Sequence, residues 1–244
     1  MSRKIGITEH GDAAFDHRWI KWVSEKNPAI IISKNPKKIY EIISELNVPY
    51  NIIVHCTITG NGGTALEPNA PSAKESLEYL YKFVELLGPQ RVVLRIDPIM
   101  PISNYMYNSI NVWKEAKANL KENMCRVRIS FYDNYPHTQK RIEEKGFQLK
   151  YTSFNLPLDI RKRIWREFEM PALCAEEGLP STPCISELDC QILGVEPGKP
   201  AGYQRTTCHC LDNKFELLNS RAQCAHKCLF CYFQKDHKGA KGLF

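Results

Sequence analysis

No apolar run in this sequence approaches the roughly 20 residues that a bilayer-spanning helix needs, which excludes a helical membrane protein. The opening residues, Met-Ser-Arg-Lys-Ile-Gly-Ile-Thr, lack the apolar segment of a secretory signal, so the expectation is a cytoplasmic protein. Internal repeats and low-complexity stretches are missing too. Charge is not strongly one-sided: a net +6 permits an anionic partner such as nucleic acid, nucleotide or phosphate without requiring one. The lysines of the tail, Lys235, Lys238 and Lys241, read as a solvated end. Cysteine is nearly absent before residue 170, where only Cys56 and Cys125 occur, yet the chain holds ten. In a reducing cytosol such a concentration points to metal binding or catalysis and not to disulfides. The 244 residues, 43% hydrophobic and 25% charged, fit one globular domain large enough to close a barrel.

The most informative of those cysteines are Cys224, Cys228 and Cys231, in the run Cys-Ala-His-Lys-Cys-Leu-Phe-Cys-Tyr. Three thiolates this close can hold three irons of a [4Fe–4S] cube and leave the fourth iron without a protein ligand. A structural zinc site is the alternative, with His226 or His237 in reach as a fourth ligand. The C-x3-C-x-aromatic-C spacing is unusual for zinc. It resembles the cysteine signature of the radical S-adenosylmethionine (SAM) superfamily, including the aromatic Phe230 before the third cysteine. That resemblance implies that SAM chelates the open iron and is split by one electron into methionine and a 5′-deoxyadenosyl radical. The departure is position, because relatives carry the run early and this chain carries it near its end.

Cys174, Cys184, Cys208 and Cys210 form a second candidate metal set, with Cys190 to spare. Four thiolates can enclose either an auxiliary [4Fe–4S] cluster or a zinc ion, and both readings stay open. Cys56, Cys125 and Cys190 read as small buried hydrophobes.

Short β-branched runs alternate with amphipathic ones over the first two-thirds. Strands are expected at Lys4–Thr8, Ala29–Ser33, Asn51–Thr59, Arg91–Asp97 and Arg126–Tyr132, with helices near 14–25, 36–45, 72–87, 104–121 and 136–145. A Ser72/Glu75 capping box opens the helix after residue 72, and Gly88-Pro89 closes it. Pro183–Ser186 is a candidate sixth strand, and 194–214 reads as a long irregular loop. The alternation predicts an α/β fold with a parallel sheet: a partial (β/α)6 TIM-type barrel over 1–190. Residues 191–244 are expected to fold back over the barrel mouth as a cysteine-rich metal-binding lid.

Three neighbouring strands place polar side chains on one face near their C-terminal ends: His55, Thr57 and Thr59; Arg95 and Asp97; Arg126, Arg128, Ser130 and Tyr132. Unpaired buried charge is strongly disfavoured, so these residues are expected to line a polar pocket at the barrel mouth, where such folds gather their chemistry. Arg95 or Arg128 can fork onto a carboxylate, Asp97 can accept from ribose or substrate, and Thr57, Thr59 and Ser130 can hydrogen-bond ribose. A structural Arg95–Asp97 or Arg128–Asp97 network is the alternative. The turn Thr59-Gly60-Asn61-Gly62-Gly63 is read as flexible and able to approach a phosphate or the methionine part of SAM.

The chain as a whole resembles an uncharacterised bacterial family related to spore photoproduct lyase. The pieces that carry the likeness are Ser33-Lys34-Asn35-Pro36, Thr57-Ile58-Thr59-Gly60, Leu66-Glu67-Pro68-Asn69, Arg95-Ile96-Asp97-Pro98-Ile99, Ile129-Ser130-Phe131-Tyr132-Asp133, Cys208-His209-Cys210 and the triad with Tyr232. Ile7-Thr8-Glu9-His10-Gly11-Asp12 departs from the Ser-Arg-Arg-Thr-Asp run of relatives. The resemblance implies a radical SAM enzyme with isomerase- or lyase-like chemistry. It would be served by an electron donor such as flavodoxin or ferredoxin. Its expected substrate is a thymine-like base in DNA or a nucleotide, as in hypermodified phage DNA. A non-catalytic, zinc- or iron–sulfur-stabilised nucleic-acid-binding protein is the competing expectation.

Overall fold

A computed structural model of the chain describes residues 3–46, 51–201, 208–220 and 224–234. The tail residues Lys235, His237, Lys238 and Lys241 lie outside them. The strands are β1 (Ile5–Ile7), β2 (Ala29–Ser33), β3 (Ile52–Thr57), β4 (Val92–Ile99), β5 (Arg126–Phe131), β6 (Ala172–Leu173) and β7 (Lys214–Glu216). The α-helices are α1 (Arg18–Ser24), α2 (Pro36–Glu45), α3 (Ala73–Leu87), α4 (Ser103–Leu120), α5 (Pro136–Glu144), α6 (Leu158–Glu167) and α7 (Glu187–Leu193). The strands form one curled parallel sheet in the order β6-β5-β4-β3-β2-β1-β7, a half-barrel of the TIM type. Among the described residues no helix is long and apolar enough to cross a membrane.

The strand residues divide between two cores with the two-residue period of extended chain. Ile31, Val54, Cys56, Leu94 and Ile96 pack outward against the helices, in one cluster with Trp19, Phe83 and Phe168. Ile30, Ile53 and Val93 point inward and meet Cys184, Ile185, Cys190, Leu193, Cys210 and Leu211. Residues 184–195 and 210–211 thus cover the inward face of the sheet.

Several expectations are corrected here. The sixth strand is Ala172–Leu173 and not Pro183–Ser186, because Ser186 caps α7 instead. Its hydroxyl accepts from Asp189 N at 3.2 Å, while the Asp189 carboxylate accepts from Ser186 N at 2.8 Å, a reciprocal capping box. Helix α7 spans the expected boundary at residue 190. A further strand, β7, emerges from the end of the expected loop and pairs in parallel with β1, Gly6 opposite Phe215. At α3 the capping is one-sided: Ser72 accepts from Glu75 N at 3.3 Å, while the Glu75 carboxylate pairs with Lys37 at 3.3 Å. The turn after Thr59 is packed and not loose. Gly60 has φ +85°, and a Cβ on it would stand 2.6 Å from the Asn108 backbone; one on Gly62 would stand 1.8 Å from Pro71 O. These two glycines allow chain segments to touch, whereas a Cβ on Gly63 would meet nothing within 4 Å.

Candidate functional site

Residues 224–234 lie across the C-terminal ends of the strands and are fastened by backbone contacts. Leu229 N donates to Leu66 O at 2.9 Å, and Asn69 Nδ2 donates to Ala225 O at 2.7 Å. From α5, Arg141 donates to three carbonyls of the segment: Leu229 O at 3.1 Å, Gln234 O at 2.7 Å and Cys231 O at 2.5 Å. His137 Nε2 meets Tyr232 O at 3.1 Å. Cys228 and Phe230 are buried in a small apolar cluster with Leu66, Met100, Tyr132 and Ile142. Side chains in that cluster hold the segment, so its remaining groups are free to face inward.

Cys224, Cys228 and Cys231 all line one cavity of about 220 Å³, together with Thr57, Arg95 and Asp97 from β3 and β4 and Glu9 and Asp12 from the loop after β1. This is the convergence of tail cysteines and strand-end polar groups that the strand pattern and the motif each required separately. Burial pushes the Cys224 thiol up to about 11, and the Cys228 thiol well above its ordinary range. Both thiols are neutral at physiological pH.

The wall beneath the cysteines is a network that the sequence reading had not assigned. Asp12 is its hub. Its carboxylate accepts from Ser33 Oγ at 2.6 Å, Lys34 N at 2.8 Å, Ala14 N at 2.9 Å and His226 Nε2 at 2.9 Å. Burial pushes this carboxyl up, but the hydrogen bond and charge of His226, with the Lys34 and Ser33 donors, bring it net below the usual range. His226 Nδ1 lies 3.3 Å from Asn69 O, so both ring nitrogens are taken by acceptors. Lys34 Nζ donates to Glu67 at 2.5 Å and lies 5.3 Å from the Phe230 ring centre. Burial lowers Lys34, yet Glu67, Cys228 and Asp97 raise it further, so a fixed cation stands beside Cys228. The signals that mark these residues were positional: Lys34 directly follows β2, Asp12 lies in the loop after β1, and His226 sits inside the cysteine motif.

The expected pocket residues divide. Thr57 reaches the cavity. Arg95 and Asp97 do as well, paired with each other, and Ser130 donates to the second Asp97 oxygen from behind. Burial pushes Asp97 up, but Arg95 and Ser130 hold it net below the usual carboxylate range. Arg95 Nη1 remains buried without a partner among the described residues. Thr59 and Arg128 do not line the cavity. The Thr59 hydroxyl donates to Glu67 and so fixes the Lys34 partner. Arg128 is buried and faces Asp189 of α7 at 3.9 Å, with Arg126 at 2.7 Å from the same carboxylate. Arg128 is thus not placed to grip a ligand carboxylate, and it pairs with Asp189 rather than with Asp97. His55 lies among these arginines; burial, then Arg128, Arg95 and Arg126, holds it well below its usual range and hence neutral. Glu9, missed by the sequence reading, is raised to about 7 by burial and the nearby Cys184.

Cys174, Cys184, Cys208 and Cys210 are brought together on the concave side of the sheet. Cys174 Sγ is 3.7 Å from Cys184 Sγ, and Cys208 Sγ is 3.3 Å from Cys210 Sγ. Cys184 N donates to Cys210 Sγ at 3.2 Å. Cys190 is buried apart from them against Asn213. No disulfide links any of these cysteines. Among the described residues, no three His, Cys, Asp or Glu side chains already enclose a point suited to a metal ion.

No curated protein matches the chain. A family described as a domain of unknown function, DUF1848, matches residues 20–233, from α1 to the segment that carries the cysteine triad. With that span covering nearly all of the half-barrel and its cysteine segment, the chain belongs to the DUF1848 family.

Proposed function

We propose that this protein is a radical SAM enzyme whose cluster is held by Cys224, Cys228 and Cys231. The observation that carries the reading is the arrival of all three cysteines at one cavity with the polar strand-end residues Thr57, Arg95 and Asp97. When bound there, a three-thiolate [4Fe–4S] cluster supplies one electron at an iron open to SAM. The donor types suit it: three cysteines line the cavity, and the histidine in the motif hydrogen-bonds Asp12. On this reading the tail is a metal-binding lid.

The chain's own residues bind, orient and exclude water. Lys34 offsets the negative charge that three thiolates bring to a buried place. Asp12 holds His226, and through it the first half of the cysteine loop. Asp97, oriented by Arg95 and Ser130, presents a carboxylate that accepts hydroxyl or amino donors. Arg95 Nη1 and the Thr57 hydroxyl add donors on the same wall. The cavity is lined by Glu9, Asp12, Asp97 and Asp133 against Lys34 and Arg95. That balance suits a cationic cofactor such as SAM and leaves a phosphate outside. Tyr232 stacks on Tyr135 with ring centres 5.3 Å apart and packs against Phe233 at 4.0 Å. This aromatic rim supports a planar substrate, a thymine-like base presented by a nucleotide or by DNA with the base flipped out. Flavodoxin or ferredoxin would deliver the electron.

The test is anaerobic reconstitution with iron and sulfide, followed by SAM and dithionite. The expected product is 5′-deoxyadenosine, abolished by Cys228→Ala. A fully reconstituted protein that leaves SAM intact would refute the reading.

A further inference from the structure

The second cysteine group belongs to neither the cavity above nor the proposed cluster. We infer that Cys174, Cys184, Cys208 and Cys210 form a separate site for a single tetrahedral divalent ion, of which zinc is the natural occupant. Four sulfurs at about 2.3 Å from one zinc stand roughly 3.8 Å from each other. The neighbouring pairs stand at 3.7 Å and 3.3 Å, which is that scale. A cubane places an iron beneath each thiolate and holds its sulfurs far wider apart, so the spacing selects a single ion over an auxiliary cluster.

Topology agrees. Cys174 directly follows β6, Cys184 precedes the capping residue of α7, and Cys208 and Cys210 lie just before β7. The four come from the two opposite edges of the sheet. They form a string, 174–184–210–208, in which Cys210 also exchanges a hydrogen bond with the Cys184 side chain. Cys174, Cys184 and Cys208 line one small cavity of about 90 Å³. Closing this string into a shell about one ion is a matter of bringing its two ends, Cys174 and Cys208, together. Binding releases the thiol protons to solvent and leaves a dianionic centre of four thiolates and one divalent ion.

Charge is the second, independent observation. A buried dianion needs cations and N–H donors around it. Arg95 and Lys214 line the same small cavity, and Arg95 and Arg128 both act electrostatically on Cys184. Arg95 Nη1 and Arg128 Nε and Nη1 are buried donors without a hydrogen-bond partner among the described residues. Buried guanidinium N–H groups left open beside four clustered sulfurs are what a metal–thiolate centre would satisfy. The two cavities share Glu9, Arg95, Asp97 and Tyr232 in their lining. The ion therefore braces the wall that presents Arg95 and Asp97, and joins the edge strands β6 and β7 across the concave side.

The experiment uses full-length protein with Cys224, Cys228 and Cys231 all changed to alanine, so that the triad cannot contribute. After purification with zinc and dialysis, elemental analysis is expected to find about one zinc per chain. Cobalt substitution is expected to give the intense charge-transfer and visible bands of a tetrahedral thiolate site. Adding Cys208→Ser, at a partly exposed position, is expected to remove most of the metal and lower the melting temperature; Cys190→Ser is expected to retain it. No bound zinc, with the four thiols open to a thiol reagent, would overturn the site. So would four irons with sulfide in the triad variant, which would mean a cubane. Both results are independent of SAM cleavage by the wild-type protein, so failure here and failure of the proposed function are distinguishable.

Discussion

Asp12 shows how much one side chain can organise. It is 6% exposed and ties β1's loop to the end of β2 and to the cysteine segment. Hydrogen bonds that involve a charged group contribute roughly 1.5–3 kcal/mol each. Asp12→Asn keeps the shape but loses the charge that matches His226, and is expected to cost about 2–3 kcal/mol in urea denaturation. Glu216 gives a pH signature. Burial raises it from 4.5 to about 7, although the Leu218 and Glu9 amides and Lys214 pull the other way. The folded state then holds this proton more tightly than the unfolded state does. Its contribution to stability is present below the unfolded value and falls as pH rises from 4.5 towards about 7. Glu216→Gln is expected to flatten that part of the slope, read from denaturation midpoints at about pH 5 and pH 7. A slope unchanged by the substitution would contradict the assignment. At this scale the sequence is legible where partners are close, as in the Arg95/Asp97 pair two positions apart on one strand. It is not legible where partners are distant. Nothing in the string joins Asp12 to His226, or Arg128 to Asp189 in place of Asp97.

At the scale of elements, the early strands and helices were readable because their apolar faces repeat at strand and helix spacing. β2 matches its expected residues, and α2 spans the expected 36–45. β6 and β7, of two and three residues, carry no such period, and pairing with longer neighbours creates them. Helix α7 was hidden because its capping box is Ser-x-x-Asp within a stretch read as strand. The cysteine segment is not a regular element either. It is held by Arg141 of α5, whose three bonds to carbonyls replace a sheet ladder. Arg141→Ala is therefore expected to loosen residues 228–234 locally. Amide exchange there should rise while the global melting temperature changes little, because α5 lies at the rim. A uniform loss of protection through the sheet would show that the residue supports the whole fold instead.

For the whole molecule, the half-barrel leaves its concave side open, and the C-terminal third closes it. One part of that third, with Cys184, Cys190, Cys210 and Leu211, fills the base. The other, with Cys224, Cys228 and Cys231, lines a cavity together with strand-end residues Thr57, Arg95 and Asp97. In space the cysteine segment returns to the loop after β1 through the contact of Asp12 with His226. The proposed enzyme depends on that return. The most direct test is electron paramagnetic resonance of the anaerobically reconstituted, dithionite-reduced protein, recorded with and without SAM. A reduced [4Fe–4S] signal that changes shape when SAM is added, and is absent when Cys224, Cys228 and Cys231 are all alanine, is the predicted result. A signal indifferent to SAM, or one that persists without the three cysteines, would contradict the account.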